Sequence, residues 1–207
     1  MSPPLSPEQA SRLYEAMLAD VLEASASFAA DLELEPVLAF HPPDAVAELV
    51  VRTPPAFRLQ AQRGFGLGER MANAFAEASA AGAPFAILRG SDSPGLDRAL
   101  IEAMTLQLEQ GTDVVLTPDG AGGYAMVGQR APDPRIFEVP MSTGDMIDQT
   151  VALCADLGLS VHATKSTFDL DRIADLTAVE SLPPERSSDL CPRTVEAIRE
   201  LRSTGVL

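Results

Sequence analysis

Apolar and polar positions alternate along this chain in two periods, and the switches between them lay out its elements. From Leu13 through Met17, Leu18, Val21 and Leu22 the apolar residues recur at helical intervals up to about Ala30, which predicts a long helix with one core-facing side. Ser6-Pro7-Glu8-Gln9 gives it a start signal: Ser6 as N-cap, Pro7 in the first turn, and Gln9 at capping-box spacing. Val37–Phe40 then reads as a buried strand stopped by Pro42-Pro43, with Asp44 expected to cap a short helix through Val50. Phe57, Leu59 and Ala61 alternate with Arg58 and Gln60, the signature of a second strand. Met71, Phe75 and Ala78 share a helix face, and Phe85–Leu88 is a third apolar strand. A helix follows from near Asp97 to about Gln110, turning Leu100, Ile101, Met104 and Leu108 inward and ending at Gly111.

Val114–Leu116 and Tyr124–Val127 are further strands, separated by a glycine-rich stretch. Ser142 or Thr143 is expected to cap a helix with Met146, Ile147, Thr150, Val151, Cys154 and Leu157 on its apolar face, closed by Gly158. Val161–Ala163 is a last short strand. A polar linker near 181–191 and a C-terminal helix over 192–202 complete the chain. Helices alternating with strands in this order predict an α/β domain spanning 1–207, with a mainly parallel sheet covered on both faces.

Composition narrows the chemistry more than the fold. A chain of 207 residues with 46% hydrophobic residues has material for a full core. Its net charge of −15 argues against binding nucleic acid by phosphate neutralisation, and the absence of tryptophan with only two tyrosines leaves few stacking platforms for single strands. A phosphorylated substrate would therefore need a local electropositive site or a metal. No apolar run approaches membrane-spanning length, and MSPPLSPEQ lacks the pattern of a leader, so a cytoplasmic protein without a membrane partner is the default expectation. The two cysteines, Cys154 and Cys191, form neither a disulfide framework nor a metal cluster.

Four stretches carry candidate chemistry. APFAILRGSDSPGL delivers Asp92 to the end of a strand, where open α/β sheets bind ligands. There it suits a divalent cation, although Asp92 and Ser93 equally suit an Asx turn that caps the next helix. QRGFGLGERM, 62–71, and TPDGAGGYAMVG, 117–128, place glycines where backbone approaches a ligand closely or merely turns. Phe168-Asp169-Leu170-Asp171 is a second acidic feature.

Taken in order, the LSPEQASRLYEAML helix, QRGFGLGERM, GSDSPGL, GGYAMVG, PMSTGDM and FDLDRIADL resemble a bacterial glycosyltransferase-A-like (GT-A-like) family of unassigned function, also called selenodomain-associated transferase. It is related to nucleotidyltransferases acting on phospholactate and molybdopterin. The resemblance implies a three-layer αβα fold of nucleotide-diphospho-sugar transferase type and transfer of a nucleotidyl or glycosyl group from a nucleotide or nucleotide sugar to a small-molecule acceptor, with Mg²⁺ or Mn²⁺. It implies Asp92 as catalytic metal ligand, with Asp169 and Asp171 closing the metal site. Gln62, Gly68, Glu69 and Arg70 fall on the nucleotide-side loop, and Gly122, Gly123 and Tyr124 on the glycine-tyrosine element.

The chain departs from that family at three places. The family's first strand and its glycine-lysine loop precede the SPE helix, whereas Met1 stands almost at that helix here. Gly66 and Ala121 stand where the family usually has aspartates. These departures give the alternative reading, a catalytically inactive GT-A-like domain that binds a nucleotide or a protein partner. A missing central strand also favours a homodimer paired through an exposed sheet edge.

Overall fold

The computed structural model describes residue 1, residues 4–141 and residues 143–207. The N-terminal start signal folds as its spacing demands. Ser6 Oγ accepts the Gln9 N–H at 3.2 Å and Gln9 Oε1 accepts the Ser6 N–H at 2.8 Å, a reciprocal capping box that satisfies two orphan donors. Helix α1, Pro7–Asp31, buries Leu13, Met17, Val21, Leu22 and Ala29. It also buries Asp20, which is 2% exposed. That carboxylate accepts Thr194 N–H at 2.7 Å, Thr194 Oγ1 at 2.8 Å and the Arg193 guanidinium at 3.1 Å, so α1 anchors the start of a C-terminal helix at Pro192–Ser203. The intervening stretch is not a polar linker. Residues Pro184–Leu190 form a helix whose polar sequence hides the two buried positions at its end, Leu190 and Cys191.

Strands β1, Val37–Phe40, and β2, Arg58–Ala61, pair in parallel from Val37↔Arg58 to Phe40↔Ala61. Helix α2, Val46–Arg52, connects them. Asp44 lies inside a 3-10 turn, Pro43–Ala45, rather than capping the helix. A four-stranded sheet holds the remaining strands, β3 (Ala86–Arg89), β4 (Val114–Pro118), β5 (Tyr124–Gln129) and β6 (Val161–Ala163), in the order β3-β5-β4-β6. β5 is antiparallel to both neighbours and only β4 and β6 pair in parallel, so the expectation of a mainly parallel sheet is corrected to a mixed one. The cause is the glycine-rich segment after β4, a hairpin turn that reverses the chain with no crossover helix. Among the described residues the sheet is in two pieces, with β1–β2 separate and β3 an edge strand whose residues are half-buried.

Two helical layers cover the larger sheet. On one face α3 (Leu67–Ala80) and α5 (Met146–Asp156) bring Met71, Phe75 and Cys154 onto Val114, Leu116 and Val127. On the other, α4 (Arg98–Glu109) sets Ile101, Met104 and Leu108 against Val115 and Met126, with Phe28 of α1 beside them. Val114 and Leu116 point to one face and Val115 to the other, the period of two that a central strand requires. Ser142 lies outside the described residues; Thr143 does not cap α5, whose N-cap position is Asp145. Among the described residues no helix is long and apolar enough to cross a membrane.

Candidate functional site

β3, β4 and β6 run in the same direction, so their carboxyl ends meet on one side of the sheet. The polypeptide leaving β3 passes Gly90 and Ser91 to Asp92 and Ser93. Gly90 has no room for a side chain, because a Cβ there would collide with the Asp92 carboxylate. Asp92 does not cap the following helix. That role belongs to Asp97, whose Oδ1 accepts the Leu100 N–H at 3.0 Å. The turn reading of Asp92 therefore loses its helix, and its carboxylate is left at the strand end.

The segment after β6 crosses these ends and completes the cluster. Thr164 and Thr167 donate their N–H groups to Leu116 and Pro118 of β4, each at 2.9 Å, and Leu170 donates to the Asp92 carbonyl at 2.9 Å. This stitching brings Asp169 beside the β3 loop, where the fully buried Ser93 hydroxyl donates to its carboxylate. Burial raises the Asp169 pKa to about 6; neighbouring Asp92, Asp119 and Asp171 push the same way, while the Ser93 hydroxyl opposes them. Asp92 is also raised, by burial first and Asp171 after it, against hydrogen bonds from the backbone and Ser93 and the Arg89 charge. Asp171 is exposed at the mouth of the cluster.

Beneath the carboxylates lies Arg89, the last residue of β3. Its guanidinium donates to the Ser93 carbonyl at 2.7 Å and to Ser25 Oγ at 3.1 Å. Its Nε is buried and has no hydrogen-bond partner among the described residues. Burial pulls its pKa down to about 10, although Asp92 and Asp169 favour its charge. The sequence offered one signal for Arg89, a cation ending an otherwise apolar strand, and the motifs did not single it out. Ser93 was seen only as a turn residue.

Asp119, at the end of β4, shapes the hairpin. Its Oδ1 accepts the N–H groups of Ala121 at 2.6 Å and Gly123 at 3.0 Å. Gly122 adopts φ +100°, and a Cβ there would drive into the Gly144 carbonyl, so this glycine is required by both conformation and space. Tyr124 packs into the cluster under α5, where burial pushes its hydroxyl up to about 12. On the opposite flank, the Gln62 side chain donates to the Ala39 carbonyl at 3.2 Å. Glu69 and Arg70 hold the backbone of their own loop at Phe65 and Gly64, and Gly68 packs against the Phe137 carbonyl. The structure thus brings Asp92, Asp169 and Asp171 within electrostatic range of one another, and gives Gln62, Gly68, Glu69, Arg70, Gly122 and Gly123 positions as loop-builders.

Hard carboxylate oxygens suit Mg²⁺ or Mn²⁺, of which Mg²⁺ needs only one or two protein carboxylates and completes its shell with water and phosphate. Among the described residues no three acidic, imidazole or thiol groups converge to hold a metal ion. Asp92 and Asp169 are the two half-buried carboxylates that a cation there would have as protein ligands.

No curated protein matches the chain. A crystal structure described as a "putative nucleotide-diphospho-sugar transferase" from Desulfovibrio desulfuricans G20 aligns with a TM-score of 0.83 at 24% identity, over 95% of this chain and 84% of that one. That likeness shows the fold: the chain shares its α/β architecture with that structure. The family described as "Uncharacterized protein conserved in bacteria" (DUF2064) matches residues 24–143, from within α1 through the β3 loop and the hairpin, and the chain belongs to that family.

Proposed function

We propose that this chain is a metal-dependent transferase that moves a nucleotidyl or glycosyl group from a nucleotide or nucleotide sugar to a small acceptor. One observation carries the reading: Asp92, Asp119, Asp169 and Asp171 arrive from three strand ends within electrostatic range, and burial raises the pKa of both Asp92 and Asp169. Asp92 and Asp169 hold the cation, and Asp171 stands at the open side. When bound, Mg²⁺ or Mn²⁺ supplies charge to neutralise the leaving phosphates. Ser93 fixes the rotamer of Asp169 through its hydroxyl. Arg89 clamps the Ser93 carbonyl and adds a fixed positive charge from below. Gly122 and Gly123 let backbone come close to the substrate, with Tyr124 behind them, while Gln62, Gly68, Glu69 and Arg70 build the opposite wall. Catalysis on this arrangement is positioning plus electrostatic stabilisation.

Calorimetry tests it with Mn²⁺ and a panel of nucleoside diphosphates and nucleotide sugars. Metal-dependent binding is expected for the wild type and a loss for Asp92→Asn; equal binding by the variant would remove Asp92 from the site.

A second reading, a nucleotide-binding or protein-interaction domain without transfer activity, is favoured by a specific feature. Asp119 engages two turn amides, and Gly66 and Ala121 carry no carboxylate, so the acidic set is sparse. This reading expects no turnover of any nucleotide sugar even where binding is measurable.

A further inference from the structure

We infer that Phe65 is a stacking platform for the base of the nucleotide, an assignment that rests on the transferase reading and adds a subsite to it. Of the eight phenylalanines in the chain, seven are buried or half-buried and Phe65 is 100% exposed. An exposed ring at a floppy tip would be unremarkable. This tip is held fast by the helix that follows it. The Phe65 N–H donates to Glu69 Oε2 at 2.9 Å, Arg70 Nε to the Gly64 carbonyl at 3.2 Å, and Asn73 Nδ2 to the Arg63 carbonyl at 3.0 Å. Arg63 itself pairs with Glu77 at 3.2 Å. Gly64 takes φ +119°, and a Cβ there would stand 2.8 Å from that of Glu69, so the loop follows a path other residues resist. Three side chains of α3 therefore fix the loop backbone and a fourth holds Arg63, while the Phe65 ring itself stands free. Such pre-organisation lowers the entropy lost when a ligand docks on the ring.

The location fits the site. α3 begins just after this loop, ends at Ala80, and packs on β3, which starts six residues later at Ala86. Helix and strand thus run in opposite directions, and the Phe65 loop lies at the carboxyl end of β3, the end that carries Asp92. The chemistry of the surroundings selects the ligand. Gly64 and Gly66 flank the ring and put no side chain beside it. A protein hot spot needs a rim of neighbouring side chains to exclude water, whereas a planar base needs only an open aromatic face. Of the two tyrosines, Tyr124 is packed under α5, and Tyr14, which is exposed, has its hydroxyl hydrogen-bonded to Ser91 at 3.0 Å.

The chain has no tryptophan, so Phe65→Trp creates a single fluorescent reporter on the tip. With Mn²⁺ present, nucleoside diphosphates should quench it saturably and inorganic pyrophosphate should not. Phe65→Ala should weaken nucleotide binding in calorimetry about ten-fold, and Phe65→Tyr should restore it. Nucleotide binding that is unchanged in Phe65→Ala, with no quenching in Phe65→Trp, overturns the platform and leaves the transferase reading standing. Absence of any nucleotide binding by the wild type overturns both. Emission that changes with protein concentration alone, accompanied by dimers in sedimentation, overturns the platform in favour of a protein contact.

Discussion

Replacing Asp169 by asparagine should stabilise the metal-free protein at neutral pH. Burial raises this carboxyl from 3.8 to about 6, so the native state holds a proton that the unfolded chain releases. For a raised carboxylate the sign is fixed by linkage: stability falls as pH rises through the interval from about 4 to 6, and above it the charge is a full liability. The undiscounted shift is about 3 kcal/mol. Because Asp169 is partly open to solvent, screening reduces this to about 1–2 kcal/mol. Asparagine keeps an oxygen to accept the Ser93 hydroxyl and drops the charge. A domain of this size gains about 2–4 °C per kcal/mol, so Asp169→Asn should melt about 2–8 °C higher at pH 7.5 in scanning calorimetry with chelator present. Below about pH 4, where the wild-type group is protonated in both the folded and the unfolded chain, the difference should shrink toward zero. An unchanged or lower melting temperature at pH 7.5, or a gain of the same size at acid pH, would refute the claim that burial makes the Asp169 charge destabilising.

Three further outcomes follow from the contacts. Asp20→Ala removes the acceptor that caps the C-terminal helix and joins it to α1; charged hydrogen bonds and caps of this kind point to a loss of about 2–4 kcal/mol in urea unfolding. Gly122→Ala forces a Cβ at φ +100° into the Gly144 carbonyl and should cost about 1–3 kcal/mol, with altered hydrogen exchange at the hairpin. Ser93→Ala removes the hydroxyl that holds Asp169 down, so the Asp169 titration followed by NMR should move upward from about 6.

How much of this was legible in the sequence differs from element to element. Val37–Phe40, the capping box at Ser6 and the helix after Asp97 were readable because local chemistry decides them: a proline stop, a reciprocal cap, an apolar face. The direction of β5 was not, because alternation with period two reports which face is buried and says nothing of which way a strand runs. The glycines of TPDGAGG showed a turn, yet the same residues suit a ligand loop. The helix at Pro184–Leu190 escaped notice because PERSSD is polar throughout and only its last residues reach the core. At the site, the acidic residues were legible from their motifs, and the structure supplied the neighbours that define their electrostatics. Ser93 reaches Asp169 across 76 residues of sequence, a separation no local pattern encodes.

The central claim is that this carboxylate cluster exists to hold a cation against a nucleotide. Its most direct test is calorimetric titration of Mn²⁺ into the wild type and into Asp92→Asn in the presence of each nucleoside diphosphate. The account predicts that one nucleotide and Mn²⁺ each raise the affinity of the other for the wild type, with the coupling lost in Asp92→Asn. Nucleotide binding that is indifferent to Mn²⁺, or coupling that survives without the Asp92 charge, would contradict it.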